Sequence, residues 1–344
     1  MIKRFLLFTA ISCFAMVATA SNELQTAILQ HGEQTTVFNG STALTSAYEA
    51  SVDGDVITLS AGTFSSVDIK KSITIYGAGY ENIDDEGIHL TKIGGFTIRG
   101  ENDTLRNVHI EGLYVNGGIV LGANNQYGLR GIKIVKCFST GIRFVTESHN
   151  CIIDQCVVNG DLYGENGGVK LADNLIVSNT IVTSSLRDFA TQSTILVDHC
   201  MLRNQIGKYN STTAFLWTNC IFYNNGRACW DDDYRMVSAA SVVRNCIHVQ
   251  EGTYGYNGFR DVDMEGCWLV PLSEIFADAA DGTYTPERTY ALQQPDVWVG
   301  TDGTQVGING GHGWSRAPGI PTVKSLTLTV DGVQLKVDYE AEAR

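Results

Sequence analysis

A short pattern recurs down the middle of this chain: an apolar residue, two mostly polar residues, Cys or Thr, and then one or two further apolar residues. We call the Cys or Thr position the anchor. Alignment on the anchors gives steps of 29, 19, 24, 20, 20, 26 and 21 residues. A period of this size is typical of a solenoid. The aligned positions are Val108, Cys137, Cys156, Thr180, Cys200, Cys220, Cys246 and Cys267.

The residues within each repeat decide which kind of solenoid this is. They form short runs rich in Val, Ile, Leu and Phe, separated by Asn, Asp and Gly, with almost no helical periodicity. This pattern predicts an all-β fold, a parallel β-helix in which each coil contributes about three short strands. Equivalent side chains of successive coils are then expected to stack on one another.

The position before the anchor is often Asn, which tolerates left-handed backbone dihedrals and can hydrogen-bond to its neighbours. We therefore expect a tight turn there and a partial ladder of asparagines. The asparagines are Asn107, Asn179, Asn219 and Asn245, and the ladder is interrupted by Lys136, Gln155, His199 and Gly266.

The cysteines are expected to be buried free thiols. An even number of cysteines in an exported protein also suggests disulfides. However, six of the eight cysteines that follow Cys13 are anchors, and parallel side chains on adjacent coils are poorly aimed for a bridge. Cys151 and Cys229 lie outside the anchor column and cannot be placed from the sequence.

Residues 1–20 have the layout of a secretory signal peptide: Lys3 and Arg4, an apolar run, and Ala18-Thr19-Ala20 before the expected cleavage. A lipoprotein signal that modifies Cys13 is the alternative. No other stretch is long and apolar enough to span a bilayer. We expect a secreted protein, located in the periplasm, at the cell surface or outside the cell.

The charge of the chain argues against nucleic acid as a partner. The formal net charge is −13 at pH 7, and removal of Lys3 and Arg4 with the signal peptide lowers it to −15. The remaining repeats run without a linker-like break, so one elongated domain over residues 21–317, acting as a monomer, is the simplest account.

Both ends of the solenoid carry candidate caps. Ser41 and the apolar residues after it predict a capped amphipathic helix that plugs the N-terminal end, and residues 54–64 and 73–77 predict the first coils. At the other end, residues 318–344 alternate apolar and polar residues around Asp331-Gly332. This predicts a β-hairpin packed on the last coils, with a separate sorting tail as the alternative.

The chain resembles secreted right-handed β-helix proteins of the pectin-lyase-like superfamily. The resemblance rests on the stretch from Gly54 to Phe64, and on Ile275-Phe276-Ala277-Asp278 with residues 301–311, which look like the closing segment of such proteins in Bacteroidota-type bacteria. It implies a right-handed helix and a polysaccharide partner. Because members include lyases, hydrolases and proteins without an assigned reaction, it does not choose an activity.

Basic residues that recur after the anchors provide a candidate site. We take Arg143, Lys170 and Arg187, with Asp188, as candidate catalytic residues, because a cation can neutralise a uronate carboxylate while another group removes the neighbouring proton. The candidate substrate-binding residues are Lys208, Arg227, Trp230 and Tyr209. The alternative is a solvated strand face with no ligand.

Calcium is the candidate cofactor, because clustered carboxylates bind it and it can bridge to a uronate. The candidate ligands are Asp231, Asp232 and Asp233. A hydrolase would instead need two carboxylates across the sugar, for which Asp173, Asp188 and Asp231 are available. The sequence thus predicts an exported β-helix that binds or cleaves a polysaccharide, with a lyase acting on uronate-containing glycans as one candidate. The alternative is a noncatalytic surface or structural protein that binds glycans.

Overall fold

The computed structural model describes residues 25–81, 90–123, 127–164, 172–189, 194–203, 213–223, 238–249, 262–278, 284–316, 322–331 and 334–342. The predicted signal peptide lies outside these ranges, and both the signal peptide and export stay predictions. The N-terminal elements are β1 (Thr26–His31), β2 (Gln34–Asn39), α1 (Ala43–Ala50), β3 (Val56–Leu59), β4 (Gly62–Phe64), β5 (Thr74–Gly79), β6 (Thr91–Ile98), β7 (Leu105–Arg106) and β8 (His109–Leu121).

The central elements are β9 (Leu129–Arg130), β10 (Lys133–Val135), β11 (Phe138–Phe144), β12 (Ser148–His149), β13 (Ile152–Asp154), β14 (Val157–Val158), β15 (Leu162–Gly164), β16 (Leu175–Ser178), β17 (Ile181–Val182), β18 (Leu186–Arg187), β19 (Thr194–Asp198) and β20 (Met201–Leu202). The last elements are β21 (Ala214–Thr218), β22 (Ile221–Phe222), β23 (Val242–Arg244), β24 (Ile247–Val249), β25 (Asp263–Glu265), β26 (Trp268–Val270), α2 (Leu272–Ile275), β27 (Thr322–Asp331) and β28 (Gln334–Glu342).

The chain winds into a right-handed parallel β-helix, which confirms the predicted fold class. Each coil runs along three faces. The first face comprises β3, β5, the start of β8, β10, β13, β16, β19, β21, β23 and β25. The second face follows the anchor turn and comprises β4, parts of β6, β8 and β11, and then β14, β17, β20, β22, β24 and β26. The third face comprises the ends of β6, β8 and β11 with β15 and β18.

The turn before the anchor is left-handed in every coil from β8 to β26, as the sequence predicted. Non-glycine residues adopt positive φ there because the turn is stabilised by bonds to the next coil; for example, the Asn179 N–H donates to the Asp198 carbonyl at 3.1 Å. The φ values lie between +41° and +72° for Gly112, Lys136, Gln155, Asn179, His199, Asn219, Asn245 and Gly266.

The alignment of the first coil was wrong. His109 pairs with Lys133, so Val108 is equivalent to Ile132, and the first anchor is the buried Leu113, 24 residues before Cys137. Asn107 therefore belongs to a second column of left-handed turns, at the junction of the short sheet β7–β9–β12 with the first face. This second column comprises Asn107, Gly131, Asn150 and Asn174.

The anchors point into the core, and their hydrogen bonds explain why Cys and Thr alternate at this position. The Cys156 thiol donates to the Asp154 carbonyl at 3.2 Å, and the Thr180 hydroxyl donates to the Ser178 carbonyl at 2.7 Å. Both side chains thus supply a small donor to the carbonyl two residues earlier. The same bond is made by Cys137, Cys200, Cys220, Cys246 and Cys267.

All described cysteines are free thiols, as predicted for the anchor column, and Cys151 is also buried. Burial raises the pKa of Cys137 to about 12 and the pKa of Cys151 to about 11. Thiolate is the reactive form, so these groups are protected both by burial and by protonation. Cys267, in the last coil, is only half-buried.

Among the described cysteines, iodoacetamide at pH 8 is therefore expected to label Cys267 first, and to label Cys137, Cys156, Cys200, Cys220 and Cys246 roughly a hundredfold more slowly than in urea. Peptide mass spectrometry of the labelled protein measures each rate. Equal labelling of all anchors in the native state, or a disulfide between two anchors, would contradict this prediction.

The N-terminal end is capped by more than the predicted helix. The buried face of α1 places Ala43, Leu44 and Ala47 in the core, as expected for a plug. The N-cap is Thr42 rather than Ser41, and no side-chain cap bond forms. In addition, β1 pairs antiparallel with both β2 and β3, so it covers the open edge of the first face. This N-terminal hairpin was not predicted from the sequence.

A segment at the C-terminal end of the solenoid runs back along the outside of the molecule. We call residues 298–316 the strap. Its backbone meets the anchor turns in reverse order: Asn245 Nδ2 donates to the Val299 carbonyl at 2.8 Å, and Asn179 Nδ2 donates to the Ile308 and Gly310 carbonyls at 2.7 and 2.8 Å. The Ser315 N–H donates to Gln155 Oε1 at 2.9 Å. The predicted asparagine ladder therefore serves chiefly to hold the strap.

The strap and the residues before it bury the outer side of the second face. The outward residues of that face form a continuous apolar ladder, and they pack against Phe276, Tyr290, Trp298 and Ile308 in a second hydrophobic core. This outer core covers the second face completely from β11 to β24. The ladder comprises Phe138, Val157, Ile181, Met201, Ile221 and Ile247.

Candidate functional site

The third face carries a polar column that is open to solvent. Strand register aligns Arg143 of β11 with Tyr163 of β15, and Tyr163 with Arg187 of β18. All three side chains are half-exposed, and their strand neighbours Ile142, Phe144, Leu162 and Leu186 are buried. Since adjacent coils are about 4.8 Å apart, the column places one arginine on the coil before Tyr163 and one on the coil after it.

Arg187 is held by three neighbours. Its Nη2 lies 2.8 Å from Asp161 Oδ2, its Nη1 donates to Asp188, and its guanidinium carbon lies 5.3 Å from the centre of the Tyr163 ring. The guanidinium therefore fixes the Tyr163 ring by a cation–π contact while it binds two carboxylates. Asp188 itself has a φ of +62°, a left-handed conformation that Asp tolerates.

The carboxylate at the centre of this cluster is held in its ionised form. Burial alone would raise the pKa of Asp161, but hydrogen bonds from Ser184, Arg187 and the Ser185 N–H together lower it. A general acid needs a raised pKa, and an effective general base needs a pKa near the working pH. Asp161 meets neither condition, so the arrangement suits the binding of polar groups better than proton transfer.

Of the predicted site residues, the structure describes Arg143, Arg187 and Asp188. Arg143 and Arg187 share one outward column two coils apart, and the residue between them in that column is Tyr163. Asp188 lies beside Arg187 as an ion-pair partner. The other candidates lie outside the described residues, and their roles stay predictions; they are Lys170, Lys208, Tyr209, Arg227, Trp230, Asp231, Asp232 and Asp233.

Asp173, a candidate for a hydrolase, binds His149 on the short sheet, with Oδ2 3.2 Å from Nδ1. A second histidine, His312, lies 2.9 Å from Asp154 Oδ1 and fixes the end of the strap. Asp161 was missed, although the alternation of buried Leu162 with polar Asp161 and Tyr163 marks it as outward-facing.

A second titratable site lies under the strap, away from the third face. Glu81 is only 6% exposed, and its carboxylate lies 3.1 Å from Nη1 of Arg316. Burial raises the pKa of Glu81 to about 7; Arg316 opposes this shift and Glu287 adds to it. A buried carboxyl group is not accessible to a polymer, so we interpret this pair as a fastening of the strap to the first coils.

The raised pKa of Glu81 predicts that stability falls as pH rises. The neutral acid is favoured in the folded state, so its contribution is present in full below pH 4.5 and is lost as pH rises through about 7. Between pH 5.5 and 7.5, we expect the wild type to lose roughly 2 kcal/mol more than Glu81→Gln does. Urea unfolding at several pH values measures the difference.

An exposed carboxylate provides the control for this experiment. Glu101 pairs with Lys70 on the surface, and its pKa is lowered, chiefly by the hydrogen bond from Lys70. Glu101→Gln should therefore follow the wild-type slope over this pH range. Identical slopes for the wild type and Glu81→Gln would refute the assignment of the titration to Glu81.

The described part of the chain contains no group of three or more His, Cys, Asp or Glu side chains that could hold a metal ion. The candidate calcium ligands lie outside it, so calcium binding stays a prediction. Within the same ranges, no helix has the length and apolar character needed to cross a membrane.

Comparisons of the chain with protein-family models, with curated proteins and with solved structures found no match. What can be said about function therefore rests on the fold and on the geometry of the third face.

Proposed function

We propose that this protein is an exported β-helix that binds a uronate-containing polysaccharide along its third face. The observation that carries the proposal is the column Arg143–Tyr163–Arg187, in which a half-exposed tyrosine, fixed by the Arg187 guanidinium, lies between two outward-facing arginines. An aromatic ring offers a flat apolar surface to a sugar, and guanidinium groups recognise carboxylates.

The solenoid suits a linear polymer because its surface repeats every coil. In the sequence, Lys170 lies six residues after the end of β15. The resemblance to the pectin-lyase-like superfamily and the signal-peptide pattern both fit an exported glycan-binding protein. Because the chain as a whole is negatively charged, it repels a polyanion, and attraction is limited to this local column of arginines.

Cleavage by a β-elimination lyase is the second candidate. In this candidate, Arg143 would neutralise a uronate carboxylate, and Lys170 would be the base. Two observations argue against cleavage. The pKa of Asp161, the carboxylate in the site, is lowered, so this group is held ionised. The pKa of Glu81 rises to about 7, but Glu81 is buried under the strap. We therefore place binding ahead of cleavage.

Isothermal titration of the mature protein with polygalacturonate, alginate and a neutral galactan, with and without calcium, tests the proposal. We expect acidic polymers to bind, and Tyr163→Ala to weaken binding roughly tenfold. Arg143→Gln should weaken acidic polymers selectively. Arg106→Gln, an exposed arginine on the short sheet, is the matched control and should bind as the wild type does.

Two results would change the conclusion. Unchanged affinity in both Tyr163→Ala and Arg143→Gln would remove the third face as the binding site. Absorbance from unsaturated uronate ends, abolished by Arg143→Gln, would instead establish the lyase.

A further inference from the structure

The N-terminal hairpin leaves one strand edge unprotected. β1 lies between β2 and β3, so the cap moves the open edge of the first face from β3 to β2. Among the described strands, β2 pairs with β1 alone. Its side chains are exposed except for Phe38, which is half-buried. β2 therefore carries a row of backbone groups that can pair with another strand.

Hydrogen-bond alternation shows which residues of β2 face the open edge. The Gly40 N–H donates to the Gln25 carbonyl at 2.8 Å, so these two residues form a hydrogen-bonded pair at the end of the β1–β2 ladder. Because such pairs alternate in an antiparallel ladder, the even-numbered residues of β2 direct their backbone groups at β1. Thr35, Val37 and Asn39 direct their N–H and C=O groups away from it.

β2 lacks the devices that usually keep exposed edges apart, which are lysine, proline, inward charges and bulges. Residues 34–39 include no proline and no charged residue, although 18% of the chain is charged, and the ladder with β1 has no register shift. Val37 is 54% exposed and lies opposite Ile28, which is 38% exposed. The outer side of the hairpin thus adds two neighbouring apolar side chains to an edge that is open to strand addition.

The complement that fits this edge is the same edge of a second copy. With Val37 on a two-fold axis, Val37 pairs with itself and Thr35 pairs with Asn39 of the other copy, which gives about six backbone hydrogen bonds. Ile28 and Val37 of both copies then form one apolar row across four strands. Glu33, the charged residue nearest to the strand, lies about 27 Å from its equivalent, well beyond the Debye length. No like charges oppose each other in this pairing, whereas β2 offers a foreign strand no charge that would select it.

We propose that two copies of this protein associate through their β2 strands and form a closed two-fold dimer with a continuous four-stranded antiparallel sheet. The other edge of β1 is occupied by β3, so each hairpin has one open edge and the association stops at two copies. This dimer replaces the monomer expected from the sequence. Because one strand pair is a small interface, we expect a dissociation constant of about 10 µM.

Sedimentation equilibrium of the chain without its signal peptide tests the dimer at concentrations from about 1 to about 500 µM. The wild type should pass from monomer to dimer mass. Val37→Lys should weaken association at least tenfold, because it places two ammonium groups beside the axis. Val37→Pro should do the same, because it removes an outward N–H but no bond to β1. Val52→Lys, the same change at a valine that follows α1 and is 50% exposed, is the matched control and should dimerise as the wild type does.

A disulfide test gives a second readout, which depends on the register. In a background with Cys229→Ser and Cys267→Ser, Val37→Cys should cross-link at dimer mass, because the two Cα atoms of a hydrogen-bonded pair lie about 5.5 Å apart. Ile28→Cys is three strand spacings, about 14 Å, from its equivalent and should not cross-link.

Two outcomes overturn the proposal. A wild type that stays monomeric up to the highest concentration would leave the β2 edge to a strand of another protein. A dimer that persists in both Val37→Lys and Val37→Pro would assign the association to another surface. Circular dichroism of each variant checks that the β-helix is intact.

Discussion

Replacement of Asn179 by alanine is expected to lower the free energy of unfolding by about 4 kcal/mol. Two effects add. Asn179 has a φ of +41°, a left-handed conformation that costs alanine about 1 kcal/mol more than asparagine. Its buried amide also donates to two strap carbonyls, of Ile308 and Gly310, and each buried acceptor left without a partner costs about 1–3 kcal/mol.

A second asparagine separates these two effects. Asn150 has almost the same backbone conformation, with a φ of +53°, but it is exposed and lies on the second column of left-handed turns, where it accepts a hydrogen bond from Asn174. Asn150→Ala should therefore cost only about 1 kcal/mol. Asn179→Gly relieves the backbone strain but not the lost bonds, and should cost about 3 kcal/mol.

Urea unfolding followed by circular dichroism measures all three variants under one condition. Equal losses for Asn179→Ala and Asn150→Ala would mean that the strap bonds contribute nothing and that only backbone strain matters. In that case the strap would be held by its apolar residues in the outer core alone.

The coil architecture was predictable because it is local and repeated. Each left-handed turn and its anchor lie within two residues of each other, and a step of about 20 residues repeats the same hydrogen bond. The local nature of this pattern also explains the one misalignment. Asn107-Val108 resembles a turn followed by an anchor, but it belongs to the other turn of the coil, and only the pairing of β8 with β10 shows this.

The strap was not predictable because its contacts join residues far apart in the sequence. Ser315 and Gln155 are 160 positions apart, and no local pattern links them. One signal was nevertheless present. After most anchors two apolar residues follow directly, as in Ile181-Val182 and Met201-Leu202. Consecutive residues of a strand face opposite sides, so such pairs require a sheet that is buried on both sides.

The candidate site was predicted in part. The outward position of Arg143 follows from its buried neighbours, Ile142 and Phe144, which alternate with it in the strand. That Tyr163 rather than a lysine lies between the two arginines depends on which residues of adjacent coils are paired. Because the lengths of the repeats vary, spacing alone cannot supply this register.

Trp217→Ala is expected to cost about 4 kcal/mol, as a large-to-small change in the centre of the inner core. The Trp217 side chain is 0% exposed; it stacks on Phe215 at 4.7 Å and meets Phe222 edge-on at 5.4 Å. Among the described residues its indole N–H has no hydrogen-bond acceptor. Trp217→Phe keeps the ring packing and loses only that unsatisfied group and part of the volume, so it should cost about 1 kcal/mol. Urea unfolding followed by circular dichroism compares the two variants. A loss as large for phenylalanine as for alanine would show that the indole N–H is bonded in solution, and that this coil is closed by a polar contact as well as by packing.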